Sequence, residues 1–265
     1  MAGATSDSPA SAYRERNSTA DRALDILGLF DDRRTTLSAT DVAAAFGVAR
    51  STAYRYLQTL IAGGFVEEDP AGGFRLGLRV FELARLARRS YGLSEIALPL
   101  LRELSATTGE TALLTRRSGD RVVCLERVES DAAQVRLSYE RGTVQAVNAG
   151  ASAWVLLAWE QPDVIARLLE STSLTKYTET TLTGPDEILQ RLARVREDGF
   201  AVSWGELDPD AVGIAAPVHA ADGSVAAGIS IVTVQRRAEG VVDDLVSAVR
   251  RTAEQISVRF ALSAE

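Results

Sequence analysis

Apolar residues recur three and four apart through TADRALDILGLF, where Ala23, Leu24, Leu27 and Phe30 predict a first helix over roughly residues 19–30. In LSATDVAAAFG, Ser38 is placed to cap a second, short helix, Asp41 sits in its first turn, Val42, Ala45 and Phe46 form its stripe, and Gly47 permits a tight turn. A third helix follows at once in VARSTAYRYLQTLIAGG. At 100° per residue Ala53, Tyr56, Leu57 and Leu60 gather on one side, while Ser51, Tyr54, Arg55 and Gln58 gather on the other. Phe65 and Val66, a PAGG turn and FRL then predict a small hairpin. Helix, glycine turn, helix and hairpin in that order are the pattern of a winged helix-turn-helix.

LRVFELARLARRS predicts a further helix from Leu78 to about Ser90, with Leu78, Phe81, Leu83 and Leu86 available for packing and Arg85, Arg88 and Arg89 more exposed. It can join two domains or pair with its own copy. Beyond Gly92 the periodicities mix. Helices are expected near 94–107, 151–169, 185–198 and 238–261, and strands near 111–116, 121–129, 134–138, 200–206, 212–219 and 225–234. The expected class is α+β: an N-terminal winged helix-turn-helix, then an α/β domain for sensing or catalysis. Residues 1–18 read as a polar tail, 19–77 as the winged domain, 78–92 as a linker helix and 93–265 as the larger domain.

Charge sharpens this division. The chain carries a formal charge of -7, which argues against indiscriminate nucleic-acid binding, but residues 93–265 hold 17 Lys and Arg against 25 Asp and Glu, so most of the acid lies there. The start of the third helix is locally basic. Arginine can fork to guanine edges or phosphate, glutamine can pair with adenine, and short hydroxyls at a helix start can hold phosphate. Arg55 and Gln58 are therefore the base-edge candidates, with Arg50, Ser51, Thr52 and Tyr54 positioning the backbone. Arg75, near the wing, and Arg79, just beyond it, can neutralise phosphate or form structural ion pairs. Taken alone, the third helix reads more simply as an ordinary amphipathic helix with a solvated face; its neighbours shift the reading to DNA.

The single cysteine, Cys124, lies in an apolar alternation that suggests a strand interior, so no intramolecular disulfide can form. The first eighteen residues contain no apolar signal core, and no apolar run is long enough to span a membrane; a cytoplasmic protein is expected. Catalysis has little support. His219 is the only histidine, no nucleophile, base and orienting group fall into a known arrangement, and neither a dinucleotide fingerprint nor a phosphate loop is present. Glu206, Asp208 and Asp210 read most simply as a solvated loop. No cofactor and no metal are expected.

The run from TADRALDILGLF through TDVAAAFGVARSTAYRYLQTLIAGGFVEED and FRLG, continued by LRELSATTGETALL, VVCLERVES, LARVREDGFAV and GIAAPVHAADGSVAAGISI, resembles the IclR family of transcriptional regulators from about residue 19 to the C-terminus. The resemblance implies a homodimer or dimer of dimers, a winged domain on double-stranded operator DNA and a GAF-like domain that binds a small effector. The chain departs from the family in places. A common Pro-Lys pair is replaced by Ala49 and Arg50, and a Gly-Lys pair by Ala153 and Trp154. The turn that meets an effector carboxylate falls on Ala151 and Ser152. A family aspartate aligns with Ser203, a cysteine with Gly213, and two pocket serines with Ser230 and Val232; Leu137 and Gln145 complete the expected effector set. Trp154, if it faces the pocket, favours a more apolar or aromatic ligand, but it reads more simply, like Trp159, as a core or interface residue. The expected function is a repressor controlled by a small organic effector, aromatic or carboxylate. The alternative is a ligand-sensing protein whose winged domain serves assembly or protein partners.

Overall fold

The computed structural model describes residues 19–31, 33–130, 140–172 and 174–263. The chain divides between Ala87 and Arg88 into two compact units.

In the first unit, α1 (Thr19–Leu27), α2 (Ala39–Phe46) and α3 (Arg50–Ala62) are joined by a small antiparallel sheet of β1 (Thr36–Leu37), β2 (Val66–Glu68) and β3 (Phe74–Leu76), in the order β1-β3-β2. The wing thus has a third strand, β1, beyond the expected hairpin. Ile26, Val42, Ala53, Leu57, Leu60, Val66 and Phe74 form one core. In α2, Val42 and Phe46 face that core as expected, but Ala45 is exposed and half-buried Ala43 takes its place.

A close backbone crossing fixes where the wing ends. The Gly77 N–H donates to the Phe65 carbonyl at 2.8 Å, and a Cβ on Gly77 would stand 2.3 Å from the Gly64 carbonyl oxygen. Only glycine fits there. The helix α4 (Leu78–Tyr91) follows and contains the division between the units. Leu78 and Phe81 are 71% and 72% exposed.

The second unit is a six-stranded antiparallel sheet with helices on both faces. Its elements run α5 (Leu93–Thr108), β4 (Thr111–Ser118), β5 (Arg121–Val128), β6 (Val144–Ala146), α6 (Ala151–Leu157), α7 (Pro162–Ser171), α8 (Pro185–Asp198), β7 (Ala201–Trp204), β8 (Ala211–His219), β9 (Val225–Val234), α9 (Gln235–Ala238) and α10 (Val242–Leu262). The strand order is β6-β5-β4-β9-β8-β7.

Side chains alternate across each strand. Ala112 and Leu114 of β4, Ile214 of β8 and Ile229 and Ile231 of β9 meet Leu101 and Leu104 of α5 and Val249 and Ile256 of α10. On the opposite face α6 lies against Ala215 and Val122, with Ile165, Ile188 and Leu192 packed outside it. This mixed α/β architecture agrees with the expected class.

Two expected helices are broken. Residues 151–169 form α6 and α7, because Pro162 lacks an N–H to continue a helix and starts a new one at its first position. The last helix is preceded by the separate turn α9. The strand expected at 134–138 lies outside the described residues.

Candidate functional site

Helices α2 and α3 differ at their N-termini. Ser38 and Asp41 close a capping box on α2: the Asp41 N–H donates to Ser38 Oγ at 3.1 Å and the Ser38 N–H donates to Asp41 Oδ2 at 2.7 Å. Ser38 Oγ also donates to Asp41 Oδ2 at 2.7 Å, and that bond first, then the Ser38 N–H, holds the Asp41 carboxyl below the usual carboxylate range. The first turn of α3 has neither a capping side chain nor an acidic residue. Its free N–H groups and its dipole therefore stand beside Arg50 and an open hydroxyl, Ser51, a combination suited to phosphate.

Ser51, Tyr54, Arg55 and Gln58 are exposed, Ala53, Leu57 and Leu60 are buried, and Tyr56 and Thr52 are half-buried. Arg50 and Arg55 have no ion-pair partner among the described residues. Tyr54 is held edge-on against Phe74 of β3, ring centroids 6.0 Å apart, which ties the outer face of α3 to the wing. Of the two roles expected of it, phosphate contact or structural ion pair, Arg75 shows the ion pair. Its Nε donates to Glu67 Oε1 at 2.8 Å, because the β2–β3 register sets Arg75 opposite Glu67, and the carboxylate offsets its charge. Arg79 is likewise paired, with Glu82.

In the second unit the register brings distant residues into line. Gly213 stands beside Ser203 on one side and Val232 on the other, and Ser230 lies between Leu113 and Ala215. The start of α6 approaches this strip because Gly213 has no side chain: a Cβ there would lie 2.9 Å from Ser203 Oγ and 3.4 Å from Ala151 Cβ. The Ala151 N–H donates to Ser203 Oγ at 3.0 Å, and Ser152 Oγ donates to Ser230 Oγ at 2.9 Å.

A cavity of about 30 Å³ remains, lined by Gln145, Ala151, Ser152, Ser203, Gly213, Ser230 and Val232, and also by Leu113, Gly150, Glu206, Leu207 and Ala211. The first seven come from the expected effector set. Leu137 lies outside the described residues.

Trp154 is not on the cavity wall. It is fully buried among the α6 core residues, and its indole Nε1 donates to Glu206 Oε2 at 2.7 Å. Trp154 therefore offers a ligand in the cavity no aromatic surface.

Glu206, expected in a solvated loop, is buried. Oε2 also accepts the Gly150 N–H at 2.8 Å, and the Glu206 carbonyl accepts Thr181 Oγ1 at 2.7 Å. Gly150 has φ 86°, and a Cβ on it would meet Leu207 Cδ1 at 2.6 Å, so glycine lets the 206–207 turn come close. Burial pushes the Glu206 carboxyl above the usual range, against the opposing pull of the Gly150 N–H, the Trp154 indole and Arg191. Asp208 and Asp210 are exposed, as a solvated loop requires.

Comparison with known proteins now fits the geometry. The model of the IclR helix-turn-helix domain matches residues 19–70, and that of the bacterial transcriptional regulator IclR C-terminal matches residues 86–258. The chain belongs to the IclR family. It is a DNA-binding transcriptional regulator, and regulators of this family are non-catalytic.

Relatives include the regulator BhcR of Paracoccus denitrificans, 37% identical over 80% of this chain and 75% of its own, and XynR of Escherichia coli, 32% identical over 83% and 87%. Among solved structures, an IclR regulator of Silicibacter sp. matches with TM-score 0.83 at 28% identity, over 92% of this chain and 96% of its own. An IclR homologue of Microbacterium hydrocarbonoxydans complexed with 4-hydroxybenzoate matches with TM-score 0.79 at 28% identity, over 94% and 100%. Among the described residues no group of His, Cys, Asp and Glu is arranged to hold a metal, and no helix is long and apolar enough to cross a membrane.

Sequence reasoning missed Glu206 and Leu207 as cavity residues. Their signal is three-dimensional, since Gly150 and Trp154, which hold Glu206, lie more than fifty residues earlier.

Proposed function

We propose that this IclR-family regulator is a repressor that binds operator DNA as a homodimer or dimer of dimers and is controlled by a small organic ligand in the cavity between α6 and the sheet. The observation that carries DNA reading by α3 is its outer face: Arg50, Arg55 and Gln58 exposed, without an ion-pair partner for either arginine, at an uncapped helix start. Arg55 and Gln58 read base edges, while Arg50, Ser51, Thr52 and Tyr54 hold the backbone. Arg75 contributes only by exchanging Glu67 for phosphate.

The exposed Leu78 and Phe81 of α4 support pairing with a second copy, which sets two reading helices at half-sites separated by whole turns of DNA. The cavity supports ligand control, because serine hydroxyls, a carboxylate and apolar groups converge there. With room for about one water molecule, it takes a ligand only by moving Leu207 and its turn. Such a ligand alters DNA affinity by preferring one of two states. The Microbacterium homologue with 4-hydroxybenzoate supports an organic acid as one class to test.

The test is a thermal-shift screen of small organic compounds on the full chain, then DNA titration with each hit. Hits that lower affinity for DNA flanking the protein's own gene are expected. Hits that bind and leave DNA affinity unchanged contradict ligand control.

A further inference from the structure

The cavity's charge, rather than its shape, carries the argument about ligand class. Among the described residues Glu206 is the only charged one on its wall. Oε2 is engaged by two N–H donors, whereas Oε1 has only Arg191 Nη2 nearby, at 3.7 Å, too far for a hydrogen bond. That guanidinium is itself turned to the Val202 carbonyl, and Arg191 lines a neighbouring cleft with Arg194, Trp204 and Glu206 itself, but does not line the cavity. The Glu206 carboxyl therefore borders the cavity, and its nearest cation stands on the side of the neighbouring cleft.

The remaining polar side chains there are uncharged, and the hydroxyls of Ser152, Ser203 and Ser230 can turn to donate or accept. A ligand carboxylate beside an ionised Glu206 meets like charge, with no cation among the described lining residues to offset it. A ligand hydroxyl or ammonium gains a charge-assisted hydrogen bond to a carboxylate that burial has already made costly to leave under-satisfied.

We propose that Glu206 is the specificity-determining residue of the cavity and selects a ligand presenting a hydroxyl or ammonium group over its carboxylate counterpart. This rests on the reading of the cavity as the effector site. It also replaces the carboxylate ligand expected from the sequence, which considered the small-residue turn at Ala151 and Ser152 without the glutamate that closes on it.

The test is titration calorimetry on the full chain with two matched probe sets: propane-1,2-diol, 1-aminopropan-2-ol and lactate, and benzyl alcohol, benzylamine and benzoate. In the wild type the alcohol or amine of the set that binds is expected to bind about tenfold or more tightly than the acid. Glu206→Gln should abolish or reverse that order, and Glu206→Asp, which retracts the charge by one methylene, should keep the order with weaker binding, serving also where the glutamine variant fails to fold.

Gly213→Ala places a methyl group into the cavity and separates the two claims. Probes that bind equally well to this variant overturn the cavity as the site. Probes excluded by it, with the acid bound most tightly by the wild type or with an order unchanged in both Glu206 variants, overturn the role of Glu206 alone. Absence of binding by every probe at millimolar concentration also counts against the proposal.

Discussion

Trp154 donates its indole N–H to Glu206 at 2.7 Å, and both side chains are buried. The bond joins the first turn of α6 to the turn after β7 and holds a carboxylate on the wall of a cavity. Trp154→Phe removes the donor and leaves the acceptor in place. The variant should lose about 2 kcal/mol or more of stability in urea unfolding, part from the missing bond and part from lost volume. A cycle with Glu206→Gln should show coupling of about 1–3 kcal/mol; additive losses would mean that the two side chains do not act as a pair.

Glu206 also sets a sign for pH dependence. Its carboxyl is raised above the ordinary 4.5, by burial first, so between 4.5 and the raised value the folded chain holds a proton that the unfolded chain releases. Wild-type stability, measured relative to Glu206→Gln so that other groups cancel, should therefore rise as pH falls from neutral into that window and level off below it. A difference that is flat, or that grows with pH, is the opposite result.

Cys124 lies buried in β5, and burial pushes its thiol up to about 11. The thiolate is the reactive form, so a disulfide reagent at pH 8 should leave the native protein unlabelled and label one thiol after unfolding. Rapid labelling of the folded chain would show that this part of the sheet opens readily.

Gly77 marks a constraint on the winged unit alone. Gly77→Ala sets a methyl group against the Gly64 carbonyl, where backbone must shift, and should cost about 2 kcal/mol or more. DNA binding should fail while ligand binding by the second unit persists, and the two readouts can be compared in one preparation. Joint loss of both would show that the units do not fold separately.

Much of the winged unit is legible in the sequence because its signals are local. The Ser38 and Asp41 cap, the Gly47 turn and the two faces of α3 each need only a few neighbouring residues, and the structure shows all three. Ser203, Gly213, Ser230 and Val232 are brought together as the family resemblance implies. Trp154 had a core reading and a pocket reading, and the structure shows the core one; the pocket reading stayed open because every residue of α6 is buried, so that composition distinguishes no face of that helix. Glu206 was hidden in a short acidic turn without periodicity, where inward and outward carboxylates look alike. The break before Pro162 carried a local signal that the surrounding apolar run obscured.

The central claim is that α3 reads DNA through its outer face. The most direct measurement is the affinity of the wild type, Arg55→Ala and Gln58→Ala for duplex DNA flanking the protein's own gene, against scrambled duplex at the same salt. Each substitution should weaken specific binding by about 1–3 kcal/mol and relax preference at its own base position, with much less effect on scrambled DNA. No specific binding by the wild type, or binding indifferent to both substitutions, would contradict the account and leave the winged unit as an assembly or protein-partner module.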